Sequence, residues 1–134
     1  MLTENQVVEK MSDYLKSIGY EVLQCLNTNE KGIDIIAEKD GKKIYIEAKG
    51  ETSSKENTNR SGKPFNKNQA GHHIAVAILA SMKIMSKFDK KSQIAIALPD
   101  NKIHRDEINL IVPALKRASI EIYFVSESLV ERVV

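Results

Sequence analysis

The chain has 134 residues, 42% of them apolar and 28% charged, which is ordinary for a soluble globular protein and leaves room for one domain with a real core, not two. The single cysteine, Cys25, excludes an intramolecular disulfide and a cysteine-built zinc site and fits a reduced, cytosolic setting. The start Met1-Leu2-Thr3-Glu4-Asn5 lacks a signal peptide's basic and apolar segments, and the longest apolar run, Ile74 to Ala80, is too short to span a bilayer.

Val8, Met11, Leu15 and Ile18 recur at helical spacing and predict an amphipathic helix over residues 3–18, with Thr3 as N-cap and Gly19 as its stop. Tyr20 to Leu26 alternates as a first strand, on which Cys25 reads as a small buried residue. Asn27 to Lys31 reads as a turn.

Two apolar runs follow, Gly32-Ile33-Asp34-Ile35-Ile36-Ala37-Glu38 and Lys43-Ile44-Tyr45-Ile46-Glu47-Ala48-Lys49. Asp40-Gly41 between them signals a tight hairpin, because a type I′ turn needs positive φ at both central residues. With Lys39 opposite Lys42, Asp34 falls opposite Glu47. Alternation puts Ile33, Ile35, Ala37, Ile44, Ile46 and Ala48 on an apolar face that should pack on a helix. Asp34, Glu47 and Lys49 share the other face. Two carboxylates in an opposed pair, with Cβ atoms roughly 5 Å apart, are destabilising without a counter-charge. A divalent cation is the natural remedy, so the pattern points to a metal-dependent enzyme. Of the four acid-x-Lys triplets in the chain, only Glu47-Ala48-Lys49 lies in an alternating strand with an acid placed across from it.

Residues 50–67 form a long polar stretch that reads as a flexible basic loop, placed to close over whatever the site binds. Charge concentrates here: residues 50–91 hold eight basic and three acidic residues, against seven and nine in residues 1–49. A basic region beside an acidic metal site suits a polyanionic substrate. Residues 68–87 predict a largely buried helix with Ile74, Ile78, Met82 and Met85 on one stripe. Gln69 and His73 share a face of its first turns, where a helix N-terminus attracts anions. His72 and His73 diverge by about 100° on a helix and so make a poor metal pair. Gln93 to Leu98 predicts a fourth strand. Residues 103–118 read as a helix kinked or restarted at Pro113, Ile120 to Val125 as a fifth strand, and Ser126 as the cap of a short closing helix through Arg132. The order αβββαβαβ implies an α/β sandwich, with a mixed central sheet flanked by helices and one domain over residues 1–134.

Asp34, Glu47-x-Lys49, the hairpin joining them, a helix before and a Gln-bearing helix after resemble the PD-(D/E)XK nuclease superfamily of restriction-endonuclease-like fold, in particular its small single-domain members. Ile33 stands where the family motif has proline, a position without a catalytic group. The resemblance implies a Mg²⁺-dependent nuclease, with Mn²⁺ able to substitute, acting on nucleic acid and on DNA rather than RNA. It implies that Asp34 and Glu47 bind the metal, that Lys49 assists the attacking water and that Gln69 completes the site. A glutamate from the first helix joins in several branches; Glu9 is the nearest match and Glu4 the other option. The Ala48 carbonyl, between the paired residues, is a further ligand candidate. Lys55, Arg60, Lys63, Lys67 and His73 are expected on the nucleic acid. Cutting both strands of a duplex calls for a homodimer. The rival reading is a catalytically silent nucleic-acid- or partner-binding module of the same fold.

Overall fold

Thr3 opens the first helix, α1 (Glu4–Ser17), through a capping box: its hydroxyl accepts the Gln6 N–H while the Gln6 side chain accepts the Thr3 N–H. A computed structural model describes residues 1–51 and 66–134. Val7, Val8, Met11 and Leu15 form the buried stripe of α1. Gly19 turns the chain out of the helix at φ +99° into β1 (Glu21–Cys25).

The hairpin of β2 (Ile35–Lys39) and β3 (Lys42–Ala48) turns through Asp40 at φ +53° and Gly41 at φ +78°. Its ladder runs from Lys39 opposite Lys42 to Ile35 opposite Ile46 without a slip. Next come α2 (Lys67–Lys87), β4 (Gln93–Pro99), α3 (Lys102–Asn109), α4 (Val112–Ala118), β5 (Ile120–Val125) and β6 (Val130–Arg132). The strands form one mixed sheet in the order β1-β2-β3-β4-β5-β6. The β1–β2, β2–β3 and β5–β6 pairs are antiparallel, and β3–β4 and β4–β5 are parallel.

α1 covers one face of the sheet, packing on Ile35, Ala37, Ile44, Ile46, Ala48, Ala95, Ala97, Tyr123 and Val125. The other helices cover the opposite face, where Ile74 and Ala77 of α2, Ile108 of α3 and Leu115 of α4 meet Ile96, Leu98, Ile120, Ile122 and Phe124. This is the α/β sandwich expected from the order of elements.

Four expectations change and one holds. Ile33 packs with Tyr45, Ile84 and Ile94 on the α2 face, not with Ile35, because the regular strand begins only at Ile35 and Gly32, at φ +135°, turns the chain before it. Cys25 is exposed; it ends the edge strand β1, on the exposed side shared with Glu21 and Leu23. α2 is buried on one side only, with Val76, Leu79 and Met82 between 42% and 56% exposed, since a helix packed on one sheet face leaves its far side uncovered. The restart expected at Pro113 holds: residues 103–118 form two helices, the second with Pro113 in its first turn, where the missing N–H costs nothing. No helix closes the chain: Ser126 exchanges hydrogen bonds with Leu129 in a tight turn, and Val130 returns against Val125 as β6.

Candidate active site

The site is built where β3 ends. Lys49 N–H donates to the Ala97 carbonyl at 3.0 Å, so this residue's backbone faces β4. Backbone groups alternate along a strand, which turns the N–H and C=O of Ala48 toward the β2 side. There the Ala48 N–H donates to Asp34 Oδ2 at 2.8 Å. Asp34 stands one residue ahead of β2 and is pinned from behind. Its carbonyl accepts the Leu26 N–H at 2.8 Å, and the Gln24 amide donates to the Ile33 carbonyl at 2.7 Å.

The carboxyl groups of Asp34 and Glu47 stand close enough to interact directly, each shifting the other. Two carboxyl groups in such contact must share a proton or a cation. Burial, followed by the negative charge of Asp34, pushes Glu47 up to about 7, with Lys49 opposing. Burial likewise raises Asp34, against the Ala48 N–H and the Lys49 charge. Lys49 Nζ lies 3.9 Å from Glu4 Oε1, and burial plus the charge of Asp34 raises Glu4 as well. One lysine therefore serves three partly buried acids.

The first-helix acid of this cluster is Glu4, not Glu9. Five residues of α-helix rotate a side chain about 140° and advance it about 7.5 Å. Glu9 is accordingly exposed and borders a groove with Asn5, Ser12, Gln24 and Cys25 on the β1 side of α1.

From the other face comes the start of α2. Asn66 and Gln69 form a second capping box, in which Gln69 Oε1 accepts the Asn66 N–H at 2.9 Å, so that oxygen is committed to the helix end. One turn on, His73 is half-buried, and its ring is held below the ordinary imidazole range by burial and by the nearby Lys49 charge. Lys67, the first residue of α2, is exposed. Lys55, Arg60 and Lys63, and most of the expected basic loop, lie outside the described residues.

Two residues that the sequence left inside a polar stretch prove structural. A Cβ at Gly50 would stand 2.4 Å from the Glu4 backbone nitrogen, so Gly50 admits the start of α1 to the end of β3. Glu51 joins three segments at once: it accepts from Leu2 N at 2.7 Å and from Asn101 Nδ2 at 2.8 Å. A glycine directly after the strand lysine was the only local sign of this close approach.

Among the described residues no three His, Cys, Asp or Glu side chains form a ready-made cation cage. The donor set nonetheless fits a hard cation that takes one or two carboxylates and completes its shell with waters and phosphate oxygens. Asp34 and Glu47 are two oxygen-bearing groups in contact, and the Ala48 carbonyl turns to their side.

A mixed six-stranded sheet between helices, with an acid pair and a lysine at the end of its third strand, defines a protein of restriction-endonuclease-like fold in the PD-(D/E)XK nuclease superfamily. A family model of the Mrr catalytic domain, a restriction endonuclease, matches residues 2–96, and the chain belongs to that family. An XisH family protein from Nostoc punctiforme PCC 73102 is 14% identical, with a TM-score of 0.58 and 98% of each chain covered. A fdxN element excision controlling factor protein from Anabaena variabilis is 15% identical, with a TM-score of 0.56 and the same coverage. At this identity both support the fold. No curated protein matches the sequence. The family is nuclease-like, its substrate class is nucleic acid, and its members generally depend on a divalent metal. Among the described residues no helix is long and apolar enough to cross a membrane.

Proposed function

We propose that this chain is a metal-dependent endonuclease that hydrolyses phosphodiester bonds, with DNA preferred over RNA and Mg²⁺ as cofactor, replaceable by Mn²⁺. The observation that carries the proposal is the gathering of the Asp34 and Glu47 carboxyls at the end of β3, Asp34 held by the Ala48 N–H and Lys49 reaching on to Glu4.

Asp34, Glu47 and the Ala48 carbonyl are the groups that would hold the metal, with Glu4 beside them across Lys49. When bound, the ion lowers the pKa of a coordinated water and neutralises charge building on the phosphate. Lys49 then orients the attacking water and stabilises the charge developing on the phosphoryl oxygens, as a compact cation fixed by the end of a strand. Ala48 N–H keeps Asp34 Oδ2 in place, so that carboxylate arrives preoriented. His73, half-buried beside Lys49, faces the substrate. Gln69 acts through the α2 cap, holding the helix N-terminus where a phosphate gains from its exposed N–H groups. Lys67, with Lys55, Arg60 and Lys63, binds backbone phosphates without reading sequence. A homodimer supplies the second site for the second strand. The same domain extends over residues 1–134, and the chain works in the cytoplasm.

The test is a panel of labelled duplex, single-stranded and branched DNA and RNA, incubated with Mg²⁺ or Mn²⁺. Wild type is expected to nick DNA. Lys49→Ala is expected to lose roughly 10²–10³-fold in rate, the loss typical of removing one transition-state donor. Asp34→Ala is expected to bind DNA without cutting it. Binding by wild type with no cleavage under either metal overturns the proposal in favour of a silent binding module.

A further inference from the structure

We propose that Glu51 is a positioning residue that clamps the start of α1 and the N-cap of α3 to the end of β3, and so sets where Glu4 stands beside Lys49. For the role of Glu4 the inference rests on the function proposed above; the clamp itself does not.

The geometry is a short chain of hydrogen bonds. Glu51 Oε1 accepts the Leu2 N–H at 2.7 Å, and the Glu51 N–H donates to the Leu2 carbonyl at 2.9 Å. Glu51 Oε2 accepts Asn101 Nδ2–H at 2.8 Å. Asn101 cannot turn its oxygen to Glu51 instead, because Oδ1 caps α3 by accepting the His104 N–H at 2.9 Å and lies 2.9 Å from His104 Nδ1. His104 is 1% exposed, so this partnership is enclosed. The Glu51 side chain is 14% exposed.

Both hydrogen-bond partners of the Glu51 carboxylate are donors, and the Met1 ammonium, 3.8 Å from Oε1, adds a positive charge on the same side. A carboxylate accepts from both; a carboxamide presents one acceptor and one donor and satisfies only one. The requirement is thus for the ionised acid, not for a polar residue of that length. The lever from clamp to site is short. Leu2 is two residues before Glu4, and Gly50, next to Glu51, lies against the Glu4 backbone. Holding Leu2 therefore holds the first turn of α1, from which Glu4 reaches Lys49.

The complementarity predicts its own rescue. Glu51→Gln sets an amide donor against the Asn101 amide. Asn101→Asp sets a carboxylate against Glu51, yet remains as good a cap for α3, since aspartate and asparagine serve equally there. In the double variant the carboxamide introduced at position 51 accepts from Leu2 and donates to the carboxylate introduced at position 101, whose other oxygen still accepts from His104.

The experiment uses the full chain as wild type, Glu51→Gln, Asn101→Asp and the double variant. Amide hydrogen exchange is followed at Leu2, Gln6 and Val7, alongside nicking of DNA with Mg²⁺. Glu51→Gln is expected to speed exchange on the order of tenfold, the equivalent of one charge-assisted hydrogen bond. It is expected to lower kcat by a similar factor while KM for DNA stays within about twofold, because the phosphate-binding groups are elsewhere. The double variant is expected to recover most of both losses. Exchange unchanged by Glu51→Gln, or a double variant no better than the worse single one, overturns the clamp. If Glu51→Gln does not fold, a folded double variant supports the clamp and failure of both overturns it. If wild type cuts nothing, the proposed function fails, and the exchange cycle still decides on Glu51.

Discussion

Gly50→Ala tests how the site is put together. The φ of Gly50 is not positive, so alanine accepts the backbone there and the whole penalty is steric. The added Cβ meets the Glu4 nitrogen at 2.4 Å, the Thr3 carbonyl carbon at 2.8 Å and Glu4 Cα at 3.1 Å. All three are backbone atoms and none can rotate aside. Relief to an ordinary contact needs the start of α1 to recede by about 1 Å. That strains the Leu2–Glu51 pair of hydrogen bonds at 2.7 and 2.9 Å and opens the Lys49–Glu4 approach at 3.9 Å. Overpacking costs about 1–3 kcal/mol, and a weakened buried hydrogen bond adds about 1 kcal/mol. Replacing glycine returns about 0.4–1 kcal/mol through the unfolded chain. The net expectation is destabilisation of about 2 kcal/mol, read by urea unfolding, with a Tm lowered by roughly 6–8 °C for a domain of this size. Gly41→Ala is the control: nothing lies within 4 Å of its Cβ, and only the backbone at φ +78° objects. A Gly50→Ala protein as stable as wild type, or more so, would refute the close approach and with it the placing of Glu4.

Three further outcomes follow from the same structure. Mg²⁺ or Mn²⁺ at 100 times its Kd is expected to stabilise wild type by about 2.7 kcal/mol and to leave the Tm of Asp34→Asn unmoved; equal shifts in both, by calorimetry, would remove Asp34 from the metal site. Burial lowers His104 from 6.5 to about 4, so the unfolded chain takes up this proton first as the pH falls. Stability from this group is complete above about pH 6.5 and is lost as the pH drops toward 4, by roughly 3 kcal/mol; chemical unfolding between those pH values should show the slope, and His104→Gln should flatten it. Arg105 binds Asp100 through two nitrogens at 2.6 and 2.9 Å, reaches Glu131 at 3.1 Å and lies over the Phe124 ring. Arg105→Lys keeps the charge but loses the fork and the stacking, and is expected to cost about 1 kcal/mol in urea unfolding, with most of it absent in an Asp100→Ala background.

What could be read from the sequence was what neighbours in the chain decide. Asp40-Gly41 fixes the turn, the turn fixes the register, and the register lines Asp34 up with Glu47 before any tertiary contact is known. Thr3 with Gln6 marks the start of α1 in the same local way. What could not be read was decided across the fold. Val130–Arg132 is too short to declare itself and becomes a strand because β5 offers an open edge. Ile33 changes face because the pleat does not extend past Ile35. The choice between Glu4 and Glu9 depends on where α1 crosses the end of β3, and that crossing depends on a glycine with no side chain to give a pattern. These cases share one cause: periodicity reports which face a residue takes, while the position of one element's end against another is set by close backbone approach. The acid pair is the exception that links both levels. Hairpin chemistry alone demands it, and the surrounding burial makes it costly, with Glu47 pushed up to about 7 by enclosure and by Asp34. A sequence selected only for stability would put a lysine or threonine opposite Asp34. Keeping a carboxylate there, with Lys49 and the start of α1 gathered round it, concentrates unmet negative charge at one point on the molecule, and a cation with a phosphate behind it is the partner that relieves it.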